Sequence, residues 1–428
     1  MLLALALPMT LAYLTTPLLG IADTAVVGRM GDAALVGGLA VGGIIIDLIF
    51  VTFNFQRSGT TGLTAQALGA GDRTEKQAIL FRALALAAGA GVAIILLAPV
   101  LVWVALYFMA PGADVAAAAG KYFNIRILSA PFALANYAIL GWLIGLGRSG
   151  LALALQVWLN GLNIVLSILL GLTLGYGLEG VAWATVAAEV AAFVAGIAFC
   201  RPMLPAEFRP PRARVLNPVA LKRLVSLNGD IMVRSFALLL AFAYFTAQGS
   251  RFGEVTLAAN AVLMQFFILG GYFLDGLATA AEQVVGRAIG ARYREGLIEG
   301  IRLSTLINFA LAIAISMVLL VGGNGFVALL TTIEEVRAEA AIYLWFAALT
   351  PLTGVLAFQM DGIFIGATWS RDMSRMMVAS LLIYVGAWWL LREPLGNTGL
   401  WLALHAFLIA RGILLAAMLR PRIRGVFA

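Results

Sequence analysis

The stretch CRPMLPAEFRPPRARVLNPVALKR, from Cys200 to Arg223, carries five prolines and six basic residues in a chain of 428 that is 62% apolar and only 11% charged. Prolines at that density interrupt helices, and a basic run stays in water. The segment reads as a linker at 205–217 between a first domain at 1–204 and a second at 218–428. Outward from it, on both sides, apolar runs alternate with short charged or Gly/Pro breaks. As helices, runs of this length cross a hydrocarbon core of roughly 30 Å. The predicted spans are 2–27, 33–60, 78–109, 116–146, 151–173 and 178–200, then 218–246, 256–285, 297–322, 336–366, 375–391 and 398–419. A mean hydropathy of +1.00 leaves too little polar surface to coat a globule. The fold class is all-α integral membrane with twelve transmembrane helices, and the period-2 alternation of a barrel is absent.

The loop charges orient the bundle. With the N-terminus in the cytoplasm, the outer loops hold only Arg29, Lys121, Arg251, Arg337 and Arg392, and the inner segments hold the other loop cations, from Arg73 and Lys76 to Arg420, Arg422 and Arg424. Both ends are therefore expected on the cytoplasmic side. The net charge of +7 is a topology signal, and without a basic soluble domain no nucleic acid is expected as a partner. The first span has no Lys or Arg before it and exceeds a signal-peptide core, so it is read as a span. The absence of polar residues ahead of Leu2 leaves open a start upstream of Met1. Cys200 is the single cysteine, which excludes an internal disulfide and a cysteine-built metal site. His405, also single, reads as a packed or hydrogen-bonded helix residue.

The halves resemble each other. ALGAGD (Ala67 to Asp72) closes the second span of one half and AIGARY (Ala288 to Tyr293) closes that of the other; Gly31 precedes Gly69 by 38 residues and Gly253 precedes Gly290 by 37. Six spans is an even number, so both halves start on the same side, and the repeats are related by an axis along the membrane normal. Two pseudo-symmetric six-helix lobes with a central cleft follow, an architecture suited to a rocking transporter.

Charges inside spans cost several kcal/mol and normally face a cavity or a partner. Seven acids and four arginines are there: Asp23, Asp47, Glu189, Asp230, Asp275, Glu282 and Asp361, with Arg57, Arg126, Arg234 and Arg411. Asp230 and Arg234, four apart, are expected to pair as structural glue. Asp23 has no base at i±3 or i±4. A carboxyl buried without a cation becomes a group that gains and loses a proton at physiological pH, and Pro8 and Pro17 on the same span permit bending. Asn160, Asn163 and Ser167 share a face of the fifth span, and they either line a polar cavity or glue helices together. Asp275 and Glu282 share a face of the eighth span, and Asp361 is mid-span in the tenth.

Five stretches, LALPMTLAYLTTPLLGIADTAVVGRMGD, RSGTTGLTAQALGAGD, NGLNIVLSILLGLTLGYGLEGVAWATVAAE, FLDGLATAAEQVVGRAIG and FQMDGIFIGAT, together resemble the multidrug and toxic compound extrusion (MATE) family, most closely its DNA-damage-inducible protein F (DinF) branch. The resemblance covers essentially the whole chain. It implies a bacterial inner-membrane antiporter that exports drug-like xenobiotics against an inward flow of protons or sodium. The family's first-helix coupling acid falls on Asp23 and its helix-bending proline on Pro8. The polar cluster of the N-terminal lobe falls on Asn163 and Thr185, with Asn136 a weaker match. Where relatives carry a second aspartate, Ser167 stands here, which favours H+ over Na+ as the coupling ion. Asp361 matches the tenth-helix acid.

The expected substrates are amphipathic and mostly cationic, because acids outnumber bases in the spans and aromatic and Met residues such as Phe53, Phe55, Met264, Phe266, Phe267, Tyr272, Phe358 and Met360 lie on the candidate cleft helices. Membrane lipids are the surroundings, a monomer is expected, and no cofactor is implied. A lipid-linked oligosaccharide flippase of similar architecture is the alternative, but it would need a cationic cleft. An enzyme would need a nucleophile with its base or a metal cluster, and one His with one Cys supplies neither.

Overall fold

The computed structural model describes residues 2–204 and 211–427, so part of the expected linker, 205–210, lies outside the described residues. Among the described residues the chain is helical, without strands. Eleven segments are long and apolar enough to cross a membrane. They are α1 (Leu2–Gly28), α2 (Ala33–Gly69), α3 (Arg73–Met109), α4 (Ala113–Gly145), α5 (Ser149–Thr173), α6 (Gly177–Met203), α7 (Arg212–Phe252), α8 (Glu254–Gly290), α9 (Arg294–Leu330), α10 (Glu334–Gly366) and α11 (Ser370–Phe427). The last is two helices meeting at Gly396, whose φ of 51° and ψ of −128° are non-helical. It thus carries the two spans predicted at 375–391 and 398–419, which completes twelve.

The glycine–acid pairs that end the first two spans act by stopping one helix and starting the next. Gly31 and Gly71 take φ of 73° and 69°, a left-handed turn open to glycine at little cost. The aspartate that follows caps the new helix: Asp32 accepts from the Ala34 amide at 2.8 Å and Asp72 from the Glu75 amide at 2.8 Å. Large apolar side chains face outward along the spans, Val321 at 89% exposure and Leu96 at 75%, as a lipid-facing surface requires.

The chain forms two compact units, one of Leu11–Leu224 and one of Met1–Thr10 with Val225–Ala428. Each is built around the same close contact. In the first, Gly141 and Gly145 of α4 lie against the backbone of α2 at Arg57 and Thr61; in the second, Gly362 and Gly366 of α10 lie against α8 at Ala278 and Glu282. Any Cβ there would collide with a carbonyl oxygen. The pairs stand in GWLIG and GIFIG, at the offset of 221 that also separates Gly69 from Gly290 (362 − 141 and 290 − 69). Close approach through small residues four apart is how membrane helices gain packing without a hydrophobic drive between them. In the second unit, the aromatic core includes Phe245 edge-on to Trp401 at 5.0 Å and Phe266 edge-on to Phe326 at 5.1 Å.

Candidate functional site

α1 buries Asp23 to 7% exposure in the first unit. There the Ser167 hydroxyl donates to its Oδ1 at 2.8 Å and also stands 3.1 Å from Asn163 Oδ1. A hydroxyl carries one hydrogen and can satisfy only one of these acceptors. The amide Nδ2 of Asn163 is buried without a hydrogen-bond partner. The trio therefore has a place for one more proton. Carried by Asp23, that proton would be donated to Ser167 Oγ and release the hydroxyl hydrogen to Asn163. With Asp23 ionised, the opposite amide orientation serves, Nδ2 donating to Ser167 and Ser167 to the carboxylate. Both charge states can thus be satisfied by turning one hydroxyl and one amide. Ser167 opens a π-helical turn, Ser167–Thr173, the kind of local widening that recurs at working sites.

A second link joins α1 to α5, since Asn160 Nδ2 donates to Thr15 Oγ1 at 2.8 Å. Pro17 lies between the two linked positions, Thr15 and Asp23, and supplies no N–H to the helix. Pro8 belongs to the other unit, whose residues Leu2, Leu5 and Ala6 pack with Leu277 and Ala280. Of the two expected hinges, Pro17 is the one set beside the Asp23 cluster.

Asn136 and Thr185 are buried nearby but bond elsewhere. Thr185 donates to its own helix at Val181 O, 3.1 Å away, and Asn136 Nδ2 donates to Glu189 at 2.7 Å. Glu189 in turn lies 3.8 Å from Arg126. Arg126 is 8% exposed, bonds Ser129, and sits 5.1 Å over the Phe50 ring. It is also within electrostatic reach of Asp23 and Asp47. Of the three carboxyls, Glu189 is the one it pairs with. Testing only i±3 and i±4 could not reveal it, because the cation comes from another helix; the signal available was that a buried arginine has to find acids somewhere.

In the second unit, Asp361 is held by two arginines, Arg234 of α7 and Arg411 of α11. Sequence spacing pairs Arg234 with Asp230; the structure gives Arg234 to Asp361, which α10 presents across the helix interface, while Asp230 accepts from the Ser370 hydroxyl at 2.8 Å. Of the other acidic candidates, Glu282 is buried and Asp275 exposed. His405 is a packed helix residue whose Nδ1 lies 2.8 Å from the Thr353 hydroxyl. Met264 and Phe267 line an apolar cavity of about 340 Å³ with Phe242 and Phe245, whereas Phe266 and Met360 are core.

Twelve apolar spans define a multi-pass membrane protein, and a carboxyl, a hydroxyl and an amide are chained together inside them. The MatE family profile matches residues 8–169 and 231–389. DNA damage-inducible protein F of Escherichia coli K12 is 39% identical over 420 residues, which cover 97% of this chain and 91% of that protein. Among solved structures, a MATE in its bent conformation superposes with a TM-score of 0.89 at 21% identity, covering 99% of this chain and 95% of that one. A MATE in its straight conformation gives 0.88 at 21%, covering 99% and 96%. The chain belongs to the MatE family, and it is a secondary transporter of the multidrug efflux class.

Proposed function

We propose that the protein is a proton-coupled antiporter of the bacterial inner membrane that exports amphipathic, mostly cationic compounds by alternating access, with both termini in the cytoplasm. The observation that carries this reading is the Asp23–Ser167–Asn163 chain, which accommodates a carboxyl with or without its proton. A sodium ion would have to shed water for one carboxylate and a few neutral oxygens, whereas a proton needs no such cage. Asp361, occupied by two guanidinium groups, offers a metal ion no free charge. Loss of the proton strengthens the tie from Asp23 to Ser167, and gain of it weakens that tie, so the part of α1 beyond Pro17 senses the charge state. The bent and straight forms of the solved MATE are consistent with such a hinge. The aromatic and Met wall of the second unit's cavity suits flat cations with few fixed hydrogen bonds.

Export of ethidium-like dyes from an efflux-deficient bacterium, reduced when the pH gradient is collapsed, is the expected result. Export of anionic lipid-linked sugars and of no cationic dye would refute the substrate class.

Two further outcomes follow from the geometry. Ser167→Asp restores a second carboxylate beside Asp23, so transport by this variant should become dependent on sodium or potassium. If the variant keeps the ion dependence of the parent, Ser167 does not select the ion. Pro17→Ala restores the missing helix N–H and stiffens α1, so turnover should fall several-fold with substrate affinity nearly kept, and more than in Pro8→Ala. Equal turnover in both variants and the parent, read from initial dye-efflux rates, would remove the hinge.

A further inference from the structure

We propose that a pocket of about 610 Å³ at the cytoplasmic end of the first unit binds the headgroup of an anionic phospholipid. Its polar side is made by Arg73 and Lys76, at the start of α3, and by Arg148, between α4 and α5; its apolar side includes Leu68, Trp142 and Leu204. No acid lines it. The acids of the first turn of α3 are engaged elsewhere: Glu75 pairs with Arg82 at 2.6 Å, and Asp72 caps the helix and lies 3.9 Å from Arg214. Among the described residues, Arg73, Lys76 and Arg148 form no ion pair. Three cations left over on one side of a pocket are a demand for an anion, and phosphate meets it with several acceptor oxygens at once.

The pocket's other half decides between sources of phosphate. Beside the cationic rim stands an apolar wall of the exposed Pro202 and the half-buried Leu68, Leu146 and Met203, and Trp142, 1% exposed, is fixed beneath the rim by its indole, which donates to the Lys76 carbonyl at 2.8 Å. A free phosphate or sugar phosphate gains nothing from that wall, whereas the glycerol and upper acyl carbons of a lipid do. The loop-charge rule sets this end at the cytoplasmic leaflet, where basic pockets between helices recruit anionic lipids. The site is independent of the coupling group at Asp23 and holds whichever ion drives transport.

The test uses the full chain, with phosphatidylglycerol and phosphatidylcholine as probes, read by native mass spectrometry and by melting temperature in detergent. Each basic residue facing an anionic surface contributes close to fivefold, so the parent should prefer phosphatidylglycerol by about a hundredfold. The triple variant Arg73→Gln, Lys76→Gln, Arg148→Gln should lose that preference, while Arg294→Gln, Arg371→Gln, Arg375→Gln in the second unit should keep it. If the triple variant does not fold, Arg148→Gln alone should lose about fivefold. Equal binding of both lipids by the parent, equal losses in the two triple variants, or a preference unchanged in Arg148→Gln would overturn the site. Inorganic phosphate that reproduces the whole thermal shift, with no further gain from lipid, would overturn the assignment to a lipid.

Discussion

Asp23→Asn should abolish gradient-driven export while leaving the protein folded and inserted. The amide nearly matches the carboxyl in shape and still bonds Ser167, so the cost in stability should stay within about 1 kcal/mol, the scale of one hydrogen bond. What the variant lacks is the second charge state. The chain through Ser167 to Asn163 then has one arrangement instead of two, and α1 receives no signal at Pro17. Dye export should fall to the level of empty vesicles, whereas dye binding to purified protein persists. Export at the parental rate would remove Asp23 from coupling.

Asp361→Asn should instead remove folded protein. Arg411 is 1% exposed and Arg234 is largely buried, and both depend on this carboxylate. Deleting one partner of a buried ion pair costs about 3–5 kcal/mol, because the charge left behind is neither solvated nor neutralised. A sharply lower melting temperature and loss of monodisperse protein in detergent are expected. The two aspartates thus separate by phenotype. A stable Asp361→Asn protein that has lost export would make Asp361 a working ion site rather than a structural one.

The twelve spans were legible because a bilayer imposes one length and one composition on every helix. The linker and the glycine–acid turns gave the six-and-six division for the same local reasons. The boundary at Gly396 was legible too, because Arg392, Glu393, Pro394 and Gly396 break the apolar run between 391 and 398. The sequence also marked Asp23 and its α5 partners, since Asn160, Asn163 and Ser167 recur at helical spacing. It could not show that Asn160 reaches Thr15 while Ser167 meets Asp23, because that depends on how α5 is rotated against α1. The ion pairs were the weakest part of the reading. Arg126 with Glu189 and Arg234 with Asp361 are formed between helices distant in sequence, and spacing along one helix carries no information about such partners. The tight α2–α4 and α8–α10 contacts were written in GWLIG and GIFIG, a repeat that becomes recognisable once the helices are seen to touch there.

Purified protein reconstituted in vesicles, given either a pH gradient in sodium-free buffer or a sodium gradient at equal pH, tests the coupling claim most directly. Ethidium movement driven by the pH gradient alone is expected, and none in the Asp23→Asn protein. Movement driven by sodium at equal pH, with no response to the proton gradient, would contradict it.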